Sequence, residues 1–189
     1  MSKPEAWTEV CLVSLNDGTT DMNIAPIMNS ISINQGGRPV ASVATLSGGR
    51  ILNFKPEEDT EIEFEGIPVG IGDKDATSQD GLDLFFHSGT SSAAPFEVTS
   101  ALETTRTVFT LTIMYTDSTA TSATSSVPSG NYAMRYNFKN TYFVTCQPSF
   151  ITDNRLISKY TFTCAPRNKA GTANITKQST DGTASMNTI

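Results

Sequence analysis

Residues 54–66 read FKPEEDTEIEFEG. Ile62 and Phe64 alternate there with Glu61, Glu63 and Glu65. Alternate side chains of a strand project to opposite faces, so the segment reads as a strand with one apolar face and one row of carboxylates. Glu57, Glu58 and Asp59 lengthen the acidic run. Like charges stacked on one strand repel, and nothing in the fold of a single domain requires them. Two readings stand. One is a solvated strand whose charge discourages edge-to-edge pairing. The other is a surface built to repel a polyanion.

Other segments read as strands. Trp7 to Leu15 reads as a first strand, ended by the turn Asn16-Asp17-Gly18. Ile27 to Ile33, Arg50 to Phe54, Thr60 to Val69 and the short Phe96 to Leu102 follow. Thr105 to Thr116 is the strongest strand, with Phe109, Leu111, Ile113 and Tyr115 on one face and Thr110 and Thr112 on the other. Asn131 to Lys139 puts Tyr132, Met134, Tyr136 and Phe138 in phase, and Asn140 to Gln147 continues it or pairs with it. Leu156 to Cys164 is the last predicted strand. Gln79 to His87 is the best helix candidate, capped by Ser78 or Asp80, with Leu82, Phe85 and Phe86 on its buried face.

Composition agrees. At 189 residues the chain is one domain, or one domain with extensions, long enough to bury a core without staples. Its apolar fraction is a low 38%, and Thr, Ser and Asn are abundant, which favours an all-β chain. The formal net charge of −6 argues against tight wrapping of nucleic acid, which needs Lys and Arg to displace counterions. It does not exclude a protein that nucleic acid passes without sticking. Met1 to Leu15 has no basic region followed by a long apolar stretch, so no signal peptide is expected. No window approaches a membrane span, so no membrane insertion is expected.

Two segments stand outside the strand pattern. Gly36-Gly37 and Gly48-Gly49 bracket an excursion whose middle, Pro39 to Ala44, is apolar without a convincing period. An apolar loop needs cover, and a partner subunit is one option. Arg38, Pro39, Val40, Val43 and Leu46 are its candidate contact residues. Asp117 to Ser129 is a Ser/Thr/Ala loop expected to be mobile or to cover another surface. Residues 167–189, after a domain spanning 1–166, form a polar tail read as disordered in isolation or ordered against a neighbour.

Catalytic and metal chemistry find no foothold. His87 is the single histidine, so a Ser/His/Asp triad would have to use it, and a helix-end position near the dipole explains it better. The acidic run lacks calcium-loop spacing, and carboxylates on alternate strand positions do not encircle an ion. Gly70-Ile71-Gly72 lacks the Lys and Ser or Thr of a phosphate loop. A glycosidase carboxylate pair has no local signal. No enzyme, no cofactor and no metal are therefore expected. Cys11, Cys146 and Cys164 match neither a zinc module nor a redox pair and read as buried thiols. A Cys146–Cys164 bridge is left open by the spacing, with the lack of a secretion signal against it.

The segments FKPEEDTEIEFEGIPVGIGD, SQDGLDLFFHSG and YAMRYNFKNTYFVTCQPSF leading into LISKYTFTCAP, in this order, resemble the major tail tube protein of long-tailed phages and archaeal tailed viruses. The resemblance spans about Trp7 to Pro166 and rests on the order of strands, one short helix and long polar loops; no single motif is diagnostic. It implies a mainly β chain: a β-sandwich with one flanking helix, lending strands to a β-barrel shared between subunits. It implies homo-hexameric rings stacked into a tube, with the excursion at residues 36–50 reaching the adjacent ring and other tail proteins at the tube ends. The place implied is the virion tail, assembled in the host cytoplasm, and the function is passage of the genome during ejection without specific binding of DNA. Glu61, Glu63 and Glu65 are then candidates to line the lumen, with Asp17, Asp21 or Asp153 as substitutes. Two other readings remain: a β-sandwich module that binds cell-surface sugar, as in a fibre or adhesin, and the tube of a contractile injection system.

Overall fold

The computed structural model describes residues 10–18, 21–24, 26–27, 30–66, 108–150 and 156–189. Ten strands lie among them: β1 (Val10–Asn16), β2 (Asp21–Ile24), β3 (Ser32–Asn34), β4 (Val40–Ala44), β5 (Arg50–Phe54), β6 (Thr60–Gly66), β7 (Val108–Thr116), β8 (Tyr132–Phe150), β9 (Leu156–Cys164) and β10 (Ile175–Asp181). The chain is mainly β, as its pattern predicts, and every pairing is antiparallel. The predicted helix at 79–87, His87, Asp153 and the predicted strand at 96–102 lie outside the described residues.

Eight strands form one sheet in the order β2-β1-β7-β8-β9-β6-β3, with β10 also on β8; β4 and β5 form a separate pair. The two predicted segments 131–139 and 140–147 are one strand of 19 residues, β8. One edge of β8 carries β7. The other carries β10 along residues 132–138 and then β9 along 141–150. The change of partner falls at a bulge. Between Phe109 and Leu111 the register on β8 advances by three positions, and Asn140 takes up the extra length at φ 53°. That left-handed conformation suits Asn better than most residues with a Cβ. Asn140 Nδ2 donates to Asn174 Oδ1 (2.8 Å), and Asn174 Nδ2 donates to Ala165 O (2.9 Å), so the turn between β9 and β10 is tied to the bulge.

The sheet then rolls up. After β2 the chain crosses to the opposite end of the strand order, where Pro26 bridges Gly66 and Ile27 N donates to Glu65 O (2.8 Å). Ser30 Oγ accepts from Glu65 N (3.0 Å) at the same junction. Rolling brings Leu15, Met22, Phe64, Leu111, Phe138 and Phe162, from six strands, into one buried core. Phe64 stacks on Phe162 (centroids 5.7 Å), and Phe109 meets Phe162 edge-on (6.4 Å). Aromatic pairs of these geometries add about 0.5–1.5 kcal/mol each beyond their area burial.

A second, smaller cluster lies on the outer face of the sheet: Met114, Ala123, Val127, Ala133 and Met186. The Ser/Thr/Ala loop covers that face of its own sheet. Ala123 N donates to Ser14 Oγ (2.9 Å), and Val127 bridges Met186. Here the expectation of a disordered or neighbour-bound tail is corrected. Residues 175–181 form β10 in the sheet, and Met186 is buried beyond it. Its composition misled because β10 buries little of its own surface and is held by backbone bonds to β8.

None of the three cysteines is in a disulfide. Cys164 pairs in register with Thr141 and Cys146 with Tyr160, so the sheet sets the two in different rows of the β8–β9 pair. Burial pushes the Cys11 thiol up to about 11, offset in part by its hydrogen bond with Tyr115. Burial, then the nearby Cys11, pushes Tyr115 up to about 12.

Two expectations follow. Both Cys11 and Tyr115 are acids held neutral in the fold, so the native chain keeps their protons to higher pH than the unfolded chain. The resulting stability is complete below the ordinary thiol range and is lost as pH rises through about 11 and 12. Thermal melts in alkaline buffer should fall through that window, and Cys11→Ala should shallow the first part of the fall. The second concerns Gly36, where an added Cβ would sit 2.2 Å from Glu58 O, while one on Gly37 meets nothing within 4 Å. Gly36→Ala should destabilise by about 1–3 kcal/mol in denaturant unfolding, whereas Gly37→Ala should change little.

Candidate assembly surfaces

β4 and β5 form a hairpin that stands off the body. Its register runs from Val40↔Phe54 to Ala44↔Arg50. The base is pinned by Lys55 N to Pro39 O (3.0 Å) and Glu58 N to Gly37 O (3.0 Å). The tip turns at Gly48, φ 80°, with Thr45 N donating to Gly49 O (2.8 Å). Leu46 at the tip is fully exposed, and Val40, Val43, Ile51, Leu52 and Phe54 are each more than half exposed. All five predicted contact residues fall on this one projection: Arg38 and Pro39 at its base, Val40 and Val43 on β4, Leu46 at its tip. The excursion does not end at Arg50 but runs on through Phe54, so β5 is not a strand of the body. Ile51, Leu52 and Phe54 belong to the same surface and were missed. Their signal was the absence of alternation in RILNF: a hairpin exposed on both faces has no inside to impose a period of two.

A two-stranded hairpin is marginal alone in water, and a contiguous apolar projection marks a surface meant for cover.

The acidic row has its predicted geometry. Ile62 and Phe64 enter the core, and Glu61, Glu63 and Glu65 share the opposite face of β6, Glu61 exposed and the others half-buried. Glu63 lies between Ser32 of β3 and Thr161 of β9. Thr161 Oγ1 donates to Glu63 Oε1 (3.3 Å), and Lys159 Nζ reaches the same oxygen at 2.8 Å. The Glu63 hydrogen bond, aided by the fields of Glu65 and Glu61, holds the Lys159 ammonium above its ordinary range. The row is therefore partly neutralised from the neighbouring strand, a feature the sequence reading did not include.

Arg135 is buried under the loop and the C-terminal segment. It donates to Gln178 Oε1 (3.1 Å), Asn187 O (2.8 Å) and Ser125 O, so one side chain ties both covering segments to β8. Burial lowers its affinity for a proton. Lys177 of β10 lies over the Tyr136 ring (5.3 Å). Among the described residues no group of His, Cys, Asp and Glu could hold a metal ion, and no helix is long and apolar enough to cross a membrane.

No known protein family and no curated protein matches this sequence. Solved structures do match its fold. A chain of the sheath–tube complex of the extracellular contractile injection system PVC, in its extended state, superposes with a TM-score of 0.54 at 14% identity, covering 94% of this chain and 93% of that one. A chain of the anti-feeding prophage baseplate superposes at 0.56 and 11% identity, covering 94% and 97%. A chain of the PVC sheath/tube terminator gives 0.51 and 15%, covering 94% and 97%. The chain shares the fold of these three chains. At such identities the likeness is one of fold, and it extends over nearly the whole of each chain.

Proposed function

We propose that this protein is a structural subunit of a tail tube. Copies join into rings, rings of six stack, and the stack conducts a viral genome during ejection. The observation that carries the reading is the β4–β5 hairpin: an apolar projection, pinned at its base, with no cover from its own chain among the described residues. A neighbouring ring supplies cover, and its burial supplies the driving force for stacking. The fold shared with chains of sheath–tube, terminator and baseplate assemblies supports the same role, with other tail proteins at the tube ends. Those matches favour a tube enclosed by a contractile sheath over a bare one, which makes an injection-system tube the second reading. A structural role needs no catalytic residue, cofactor or metal.

In this reading the Glu61, Glu63 and Glu65 row lines the bore. DNA carries about one negative charge per 1.7 Å of axis, and like charge in the wall leaves it free to slide. Screening confines the effect to roughly 8 Å at physiological salt, within reach of a wall close to DNA. Lys159 moderates the field at Glu63 and leaves Glu61 as the most exposed carboxylate of the row.

Purified protein should show rings or tubes by negative-stain microscopy. Replacing residues 40–54 with a short Gly/Ser turn should leave the sheet folded and abolish stacking. Long tubes from that variant, or a persistent monomer of the intact chain near 20.3 kDa at high concentration, would refute the proposal. Changing Glu61, Glu63 and Glu65 together to Lys should preserve assembly and make tubes retain DNA, with binding that weakens steeply as salt rises. If those tubes ignore DNA, the row does not face the bore.

A further inference from the structure

We propose that the β4–β5 hairpin of one copy docks on an apolar patch of a second copy, formed by Val108 of β7 with Tyr142 and Val144 of β8. The inference rests on the stacking reading of the hairpin and names the surface that receives it. It does not rest on the bore assignment of the β6 carboxylates.

Apart from Ile189, the exposed large apolar side chains among the described residues fall in two groups. One is the hairpin. The other is Val108, Tyr142 and Val144. Register sets these three side by side. Val108 pairs with Tyr142, and the register of β8 on β9 shifts between Phe143 and Thr145, so Val144 falls at a bulge beside them. Phe109 and Phe143, their neighbours in the chain, belong to the core, which puts Val108 and Tyr142 on the outer face. Single exposed apolar residues are ordinary; a group in contact across two strands marks a contact surface. Both groups are exposed on the same chain, so its own hairpin does not cover its own patch. The two match in width as well. The strands of a hairpin lie about 4.8 Å apart, the same spacing that separates β7 from β8.

Charge selects the patch over a second hairpin as the occupant. From Gly36 to Lys55 the chain carries Arg38, Arg50 and Lys55 and no acidic residue. All three cations are exposed, and none enters an ion pair among the described residues. Two hairpins packed together would oppose like charges. The patch has the opposite surroundings. Thr60 pairs with Cys164, and Cys164 with Thr141, so Glu58 and Asp59, just before β6, lie at the Tyr142 end of the sheet. Both are exposed. Two strand spacings, roughly 10 Å, separate β8 from β6, so a hairpin seated on β7 and β8 can reach toward Asp59 with a long cationic side chain at its margin. Apolar burial supplies the affinity, and the opposite charges set which way the hairpin lies. The two surfaces differ, so the contact is head-to-tail, and each copy offers one of each kind. Such a contact repeats from copy to copy instead of ending at a pair.

The test is complementation between two variants, followed by sedimentation. One replaces residues 40–54 with a short Gly/Ser turn and keeps the patch. The other combines Val108→Thr, Tyr142→Thr and Val144→Thr and keeps the hairpin; threonine suits an exposed strand position, and melting curves check both folds. Alone, the patch variant should need at least about tenfold more protein to stack than the unmodified chain, and the single change Tyr142→Thr should act in the same direction to a smaller extent. Mixed, the two variants should form complexes larger than either forms alone, because the hairpin of one meets the intact patch of the other. Recovery on mixing also requires both to be folded. If the patch variant stacks as the unmodified chain does, or the mixture sediments as its parts do, the inference is overturned, while loss of stacking in the hairpin variant alone would leave the stacking reading intact. If the unmodified chain itself never stacks, both fall.

Discussion

Each edge of a strand can be hydrogen-bonded only once at any point along its length, and β8 is where this constraint is met three times. Its 19 residues take β7 on one edge and β10 and then β9 on the other. The arrangement needs the bulge at Asn140, because a straight ladder would carry one partner past the other. The Asn140–Asn174–Ala165 bonds fix where the exchange occurs, so the β9–β10 turn is positioned by the same irregularity. From there the sheet can extend through β9 to β6 and β3 and still return to β2 through Pro26 and Gly66.

Closure of the sheet divides the molecule's surfaces by chemistry. Inward positions hold the aromatic cluster around Phe64 and Phe162. Outward positions split into three parts: a small apolar cluster roofed by the loop and the C-terminal segment, the polar row at Asn137, and the carboxylates of β6. Arg135 holds the roof in place through carbonyls of both covering segments. The hairpin belongs to none of these. It is pinned where Gly36 lets the chain pass against Glu58 O at a separation no side chain tolerates, and its apolar side chains are exposed.

The acidic row and the hairpin serve different ends in the proposed tube. The hairpin holds copies together through apolar burial, which salt barely affects. The carboxylates act on a passing polyanion through a field that salt screens. Separating attraction and repulsion onto different elements lets one surface change without the other.

What the sequence by itself determined was whatever depends on period and composition. β6, β7 and β9 alternate because one face of each meets a core, and alternation is written residue by residue. The opposition of Ile62 and Phe64 to the three glutamates was legible for the same reason, as was the excursion between paired glycines. Tertiary structure decided the rest. The extent of the excursion through Phe54 was hidden because a strand exposed on both faces carries no periodic signal. β10 was hidden because its place in the sheet comes from backbone bonds to β8, which any polar sequence can make. The pairing of Lys159 with Glu63, and the row that joins Ser14 to Thr176 through Thr112 and Asn137, exist only once register is set across strands distant in the chain, such as β1 with β7 and β6 with β9. Register is a property of the closed sheet, and no local stretch of sequence contains it.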